Sequence, residues 1–598
     1  MLNLWFEQKN TSDVDVRRVA VEEGISRLFS VSVHFASRDP DLALSAIVGR
    51  GAALRVAPER EQGASGSRTW GGVCCHVELV KVEPTGESVY AARIVPRLWA
   101  LTQRRGYRIF QHLTVPEIAR QVLSEWGVDH RPELVEEPYP RLHYKVQYDE
   151  TDYAFLSRLL EEAGISFVVE DPPAGGTSAV VVLRDAPGGV AGGLTLPFVD
   201  NPNTTLGHDH VTDVGVSHEV RPGAYLLGDF DPRRPRMPVE ASAGDADGAE
   251  AALGHHLHDP GSFLAEVPPD GSTPIADSLG AARALEPVGL RAAQRALEAE
   301  RSGRVTVSFR TNVAELHPGA LLTIDDHPHH DLAGRRLLVT SMSSHGPRDG
   351  KWHFSARAVF AEVPYRPPRK TPRPQALGMQ SATVVGPPGM DIHTDELGRV
   401  HVQFPWDRKG TWNDLSTCWL RVSQGWAGAG YGMTALPRVG QEVLVGFLGG
   451  DPDQPIVVGR VHNGIHPTPY KLPENQTVST WRTASSPYTG GFNEIRFEDR
   501  ATQEEIFVHA QKDLRADVGN EDTTEAGQRI RAAIKPTSPL VTQWDMVNQR
   551  FTVTTGLATV TLVGPFLALE AEGDIEIRAK GNVVINGAKI LLNCDKPG

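Results

Sequence analysis

Cysteine is scarce, with four residues in 598. That excludes a disulfide framework as the device that holds the chain together. Cys74 and Cys75 are adjacent, a poor geometry for a bond with each other. Long apolar runs are missing too. None reaches the roughly eighteen residues that a membrane-spanning helix needs. The opening MLNLWFEQKN lacks the basic start and apolar core of a signal peptide. The expectation is a chain made and folded in the cytosol and carried out, if it leaves, by a machine. Positive charge is in deficit: 60 Lys and Arg stand against 74 Asp and Glu, a net −14. With no long basic run, a nucleic-acid partner is disfavoured. The catalytic signatures GxxxxGK[ST], HExxH and GxSxG are absent from the sequence.

What the chain does have is turn chemistry. It holds 58 Gly and 44 Pro with 40% apolar residues, which reads as globular and mainly β. Its length calls for about three domains or more. The most ordered pattern lies at 390–463. RVHVQF at 399–404 alternates with Val400, Val402 and Phe404 on one face, and CWLRV, EVLVGFL and the run at 456–461 follow. Alternation between turns is the mark of half-buried antiparallel strands. Gly398, Gly410 and the pair Gly449–Gly450 stand where a positive φ is expected in the turns. About five strands in some seventy residues suggest a small closed barrel, for which an OB-fold fits best.

DELGRVHVQFPWD, CWLRVSQGWAGAGYG, LPRVGQEVLVGFLGGDPDQPIVVGRVHN and GFNEIRFEDRATQEEIFVHAQKDL closely resemble the valine–glycine repeat protein G (VgrG) family. These are spike proteins of type VI secretion systems, similar to a phage tail hub fused to a cell-puncturing protein. The likeness is dense over 365–515 and looser, but in register, over 2–364. It implies a mainly β chain with some α+β character in the hub. Residues 1–365 would form a tail-hub-like domain of two β-barrels with helical insertions. A basic Pro-rich linker would follow at 366–377, an OB-fold barrel at 378–465, a connector at 466–493 and a β-helical or β-prism needle at 494–598. The resemblance further implies a homotrimer whose hub seats on a hexameric Hcp tube. Its needle would take a PAAR-repeat tip protein, and baseplate components and effectors would be further partners. The function implied is a phage tail-like spike that pierces target envelopes and delivers effectors. The spike of a related extracellular contractile particle or phage tail is the alternative.

Along the hub, 28–35, 73–82 and 89–98 read as strands. TVPEIARQVLSEW at 114–126 reads as a helix with a capping box from Thr114 to Glu117. A second helix is expected at 152–163, stopped by Gly164, with Tyr153, Leu156, Leu159, Leu160 and Ala163 inward. A third is expected at 291–301, with Leu290, Ala293 and Leu297 inward. Strands follow at 305–309, 320–324 and 336–342. Residues 243–250 read as an exposed loop, and RPPRKTPRP at 366–374 as an extended basic spacer.

The tail is built of short strands at 550–563, 566–572, 574–577 and 582–585, broken by glycines about every eight residues, a β-solenoid pattern. Ordering backbone costs about 1–2 kcal/mol per residue. A ribbon one chain wide has no second face to repay that. Its alternating Val, Ile and Leu call for partner chains; that there are three comes from the resemblance. Two prolines within 533–544 suggest a loop interrupting the repeat.

No catalytic, cofactor-binding or metal site is assigned. Asp149, Glu150, Asp152, Glu161 and Glu162 are read as helix-start acids and a solvated helix face rather than a catalytic pair. His255, His256, His258 and Asp259, and His327, His329, His330 and Asp331, are read as loop residues that lack the second half a metal site needs. Gly428–Gly432 reads as a tight loop, not a nucleotide cradle. Cys418 reads as a core thiol. Cys594 reads as a small residue in the last coil, the alternative being a metal held by three copies on a threefold axis. A cell-wall hydrolase is the lesser reading. Only about thirty residues separate barrel from needle, too few for a fold that positions a carboxylate pair, and no appended domain is expected after the needle.

Overall fold

The computed structural model describes residues 2–7, 14–39, 42–57, 66–84, 86–135, 139–172, 176–201, 208–232, 235–236, 238–244, 248–259, 261, 263–266, 282–284, 286–348, 352–526, 529–534, 542–547, 550–555, 558–563, 576, 578 and 581–584. Two units are present, Met1–His509 and Ala510–Gly598.

The first unit is organised by a 12-stranded sheet. Strands from the start of the chain run in the spatial order Leu2–Phe6, Gly51–Val56, Arg68–Val82, Ser88–Val95, Ser30–Ser37 and Val14–Gly24. Arg336–Pro347, His353–Phe360, Val305–Thr311 and Val211–His218 then continue the sheet. The two halves are joined by antiparallel pairing of Val14–Gly24 with Arg336–Pro347, with Val21 opposite Ser344. Alternation places the core: Val31, Val33 and Phe35 are buried, while Ser32 and His34 point out. The strand expected to reach residue 98 ends at Val95, and a short 3-10 helix, Arg97–Gln103, takes over after Pro96. Gly72 packs so tightly that a Cβ built there would run into the Val95 carbonyl. Gly72→Ala is therefore expected to push neighbouring strands of the sheet apart and lower stability by about 1–3 kcal/mol, read as a lower urea midpoint.

Helix Val115–Glu125 has its capping box: the Thr114 hydroxyl accepts from the Glu117 N–H, and Glu117 accepts from the Thr114 N–H at 2.9 Å. Asp152–Ala163 ends at Gly164, whose φ of 70° suits glycine. The two apolar faces share one cluster with Leu98, Leu101 and Phe110. The third helix, Glu286–Arg301, starts earlier than expected. Ala293 and Leu297 are buried as expected, but Leu290 is half exposed. The inward contact at that turn belongs to Gly289, where a side chain would collide with the ring of Phe263. The loop expected at 243–250 is instead the end of strand Val239–Gly244 and the start of a 3-10 turn, Gly248–Ala252; residues 245–247 lie outside the described set.

The barrel is a 5-stranded sheet in the order His401–Gln403, Gln380–Val385, Glu442–Phe447, Pro455–Arg460, Arg421–Val422. Val400, Val402 and Phe404 fill it, as their alternation requires. Gly398, Gly449 and Gly450 do have positive φ. Gly410 does not; glycine is needed there because a Cβ would strike the side chain of Gln403.

After the barrel, Val478–Arg482, Glu494–Glu498 and Glu505–His509 pair as an antiparallel three-stranded sheet. In the second unit, Arg529–Ile534, Thr542–Val547, Arg550–Thr555 and Ala558–Val563 form a four-stranded antiparallel meander. The interruption expected over 533–544 is partly strand, since Ile534 ends one and Thr542 begins the next; 535–541 lie outside the described residues. Of the strands expected at 566–572, 574–577 and 582–585, residues 576 and 582–584 are described and carry none. The rest, with Cys594, lie outside the described residues.

Candidate functional site

Two features of the first unit stand out: a charged joint that binds hub to barrel, and a sheet whose apolar face is open to water.

The joint is made by the segment 366–374. It is no free spacer. Arg366 is buried and donates to Glu298 at 2.8 Å and to the Asp185 carbonyl at 2.6 Å. The Lys370 and Thr371 N–H groups both donate to the Glu161 carboxylate at 2.9 Å. Arg373 donates to Glu162 at 2.7 Å and forks onto Asp259. Lys145 then ties Glu162, at 3.2 Å, to Asp453 of the barrel, at 2.8 Å. Asp453 also accepts from the Val146 N–H at 2.7 Å. Proline removes backbone donors from this strap, so its side chains supply much of the attachment.

Burial alone would raise the Glu162 carboxyl, but Lys145, Arg373, Arg158 and Arg369 together hold it well below the usual carboxylate range. Lys145 is raised despite its burial, by Asp453 and Glu162. Asp451 is pushed up to about 6, by burial and then by the charge of Asp453. The helix acids are thus not a solvated surface. Glu150 is buried on Arg158, which donates to it at 2.7 Å, and Asp152 is buried under donors from Arg104, Trp126 and Gln147. Only Asp149 keeps the expected exposed role, paired to Arg105 at 2.9 Å. Sequence reading missed this because Glu162 and Asp453 sit far apart in the chain, and nothing local marks them as partners.

Hub and barrel also share an apolar core. Tyr144 and Val146 of the hub pack with Val384, Val402, Leu420 and Val445 of the barrel. Tyr107 lies 5.5 Å from Trp406 and 5.1 Å from Tyr148, ring centre to ring centre. Cys418 is buried in this core as expected, its thiol pushed up to about 12 by burial.

His401 sits in the same core with its Nδ1 2.7 Å from the Thr417 carbonyl and its ring 3.9 Å from that of Trp419. Burial, with the charges of His393 and His143, lowers its pKa to about 4. The folded value lies below the unfolded one, so its contribution to stability is whole above about 6.5 and is lost as the pH falls toward about 4. The loss amounts to up to about 3 kcal/mol. In His401→Gln the thermal midpoint is expected to fall less steeply between these pH values than in the native chain.

The second feature is the sheet 478–509. Trp481 pairs with Ile495, Ile495 with Val508, and Phe497 with Ile506, so these five side chains share one face. That face is open: Trp481 is 61% exposed, Ile506 71% and Val508 55%, with Ile495 and Phe497 exposed between them. The opposite face is largely polar and cross-linked by hydrogen bonds and an ion pair. Thr480 and Tyr470 donate to Glu494, each at 2.7 Å, and Arg496 pairs with Glu505 and lies over Phe507. A sheet with its apolar face outward and its polar face inward is inverted for a lone chain. The barrel hairpin Trp426–Gly428 and Tyr431–Met433 adds exposed Trp426, Tyr431 and Met433. It turns through Ala429 and Gly430, the tight loop expected there.

The histidines gather no metal site. His255, His256 and His258 lie on an exposed strand, Gly254–His258, rather than a loop, and Asp259 is buried on Arg373. His329 and His330 stack at 5.2 Å beside Asp331, and His327 packs on Phe198. Among the described residues no group of three His, Cys, Asp or Glu has the geometry to hold a metal ion. Nor is any helix among them long and apolar enough to cross a membrane.

Comparison with known proteins bears on both features. Residues 22–350 match the family model of the phage tail baseplate hub (GPD). Residues 390–462 match that of the type VI secretion system/phage-baseplate injector OB domain. Residues 479–555, which begin within the inverted sheet, match the bacteriophage T4 gp5 C-terminal trimerisation domain. The type VI secretion system spike protein VgrG4b of Pseudomonas aeruginosa is 35% identical over 562 residues, 88% of this chain and 64% of that protein. VgrG1a of the same organism is 33% identical over 536 residues, 86% of this chain and 77% of that one. The chain thus spans less than two thirds of the length of VgrG4b and of VgrG5, 64% of each. Among solved structures, the E. coli c3393 protein, described as a type VI secretion component similar to T4 gp27 and gp5, aligns with a TM-score of 0.55 at 22% identity. It covers 77% of this chain and 100% of its own. A Francisella PdpA–VgrG complex chain aligns with a TM-score of 0.54 at 8% identity, covering 93% and 87%. At these identities the likeness speaks for the fold.

Proposed function

The chain belongs to the VgrG family of type VI secretion system spike proteins, and from that premise we propose that it is the trimeric puncturing tip of such a machine. Its work is mechanical. Three copies cover one another's apolar sheet faces, the hub seats on a hexameric Hcp-like tube, and contraction drives the needle end through a target envelope with effectors attached. A PAAR-repeat protein closes the tip, and baseplate components hold the hub. The chain is assembled in the cytoplasm and leaves it through the machine, without a catalytic step of its own.

The observation that carries this reading is the inverted sheet, whose five apolar residues face water in a single chain. The joint supports it: hub and barrel share an apolar core and the Lys145–Asp453 pair, and the strap between them is pinned to the hub through Arg366 and Arg373. A strain lacking the chain is expected to release no tube protein into the medium, and the native chain supplied in trans restores release. Undiminished release without it would contradict the proposal. Purified protein is expected to leave a cell-wall suspension turbid; clearing would favour a hydrolase.

A further inference from the structure

A cavity of about 730 Å³ lies where hub, strap and barrel meet, a size usual for small-molecule sites. Its wall has more cations than its carboxylates take up. Lys145 and Arg373 are engaged by Glu162, Asp453 and Asp259. Arg369 and Arg421 also line the cavity; neither makes a direct ion pair among the described residues, and Arg369 feels Glu162 only at longer range. The Nε of Arg369 is buried with no acceptor. Arg421 is half-buried, and desolvation followed by the nearby charge of Arg399 lowers its pKa. The hydroxyl of Tyr144, another lining residue, is buried without a partner. Trp419 and Phe230 add aromatic surface. Half-buried guanidinium groups with no carboxylate in direct contact leave donors that an anion can take up. Their planar fork suits the oxygens of a carboxylate or phosphate.

We propose that this cavity binds a compact organic anion, a phosphate or carboxylate carried on an apolar body. Arg369 and Arg421 supply the countercharge, Tyr144 donates its hydroxyl, and Trp419 and Phe230 cover the body. Such a ligand bridges strap and barrel and so stiffens the joint.

The test is calorimetric titration of the full-length chain, at low salt, with pyrophosphate, citrate and ATP in turn. At least one is expected to bind saturably, one per chain. Preference for pyrophosphate or for citrate tells phosphate from carboxylate, and a gain from pyrophosphate to ATP reports the apolar body. Arg369→Gln and Arg421→Gln are each expected to weaken that binding tenfold or more. Arg421→Lys keeps some of it, and Arg105→Gln, away from the cavity, changes nothing. Circular dichroism and light scattering establish that each variant folds and assembles as the native chain does. Absence of saturable binding by all three probes overturns the proposal, whether the cavity is closed by a sister copy or simply empty. Binding that both Arg→Gln variants leave within twofold of native overturns it as well, as adventitious.

Discussion

Aspartate at both Trp481 and Ile506 is expected to yield single chains where the native protein yields trimers. Trp481 and Ile506 are the most exposed of the five residues on the apolar face, at 61% and 71%. Taking a large apolar side chain fully out of water is worth about 1.5–3 kcal/mol, and roughly half of that remains available at such positions. Losing two of them per chain forfeits several kcal/mol across three chains. Each aspartate must then be buried without a partner or approach its symmetry mates, which costs more again. The sum corresponds to about a thousandfold or more in association. Glu505→Gln, on the opposite face where Glu505 pairs with Arg496, is the control and is expected to leave assembly intact. Size-exclusion chromatography with light scattering reads all three. A double variant with the native mass would show that this face is not the one that sister copies cover.

Glu162→Ala is expected to be the most damaging single change at the joint. It strips the carboxylate that Lys145 and Arg373 share, and that helps balance Arg158 and Arg369. Removing one member of a buried ion network costs about 3–5 kcal/mol, because the partners stay buried and uncompensated. Glu162→Gln keeps an acceptor oxygen and should lose less. The pH sign follows from the depressed carboxyl. Its contribution is whole above the unfolded value of about 4.5 and is lost only as the pH falls through the folded value below it. The gap between native and variant melting temperatures should therefore persist down to mildly acidic pH. A variant that melts within about a degree of the native chain would mean that strap and barrel hold together without this carboxylate.

Where a signal was local, it was legible. Thr114 and Glu117 lie one helical turn apart, and Gly164 needs only its own φ, so caps and ends could be read directly. Val400, Val402 and Phe404 alternate, so the barrel core could be read as well. Gly410 was read for the wrong reason, since its need arises from Gln403 packing over it, not from its own backbone. Leu290 was placed inward by helical spacing, which holds no information about Phe263 approaching at Gly289. The clamp of Glu162, Lys145, Arg373 and Asp453 joins residues from hub, strap and barrel, and only the folded chain brings them together. The sheet 478–509 is the instructive case. Its strands alternate polar and apolar side chains, yet a period of two says only that the faces differ. It does not say which of them meets water.

That inversion is the centre of the account, and the absolute mass of the native full-length chain in solution tests it most directly. Light scattering at micromolar concentration is expected to give three times the mass of one chain, with little binding of a dye that reports exposed apolar surface. A stable species with the mass of one chain would contradict it, because the apolar face of Trp481, Ile495, Phe497, Ile506 and Val508 would then be left in water.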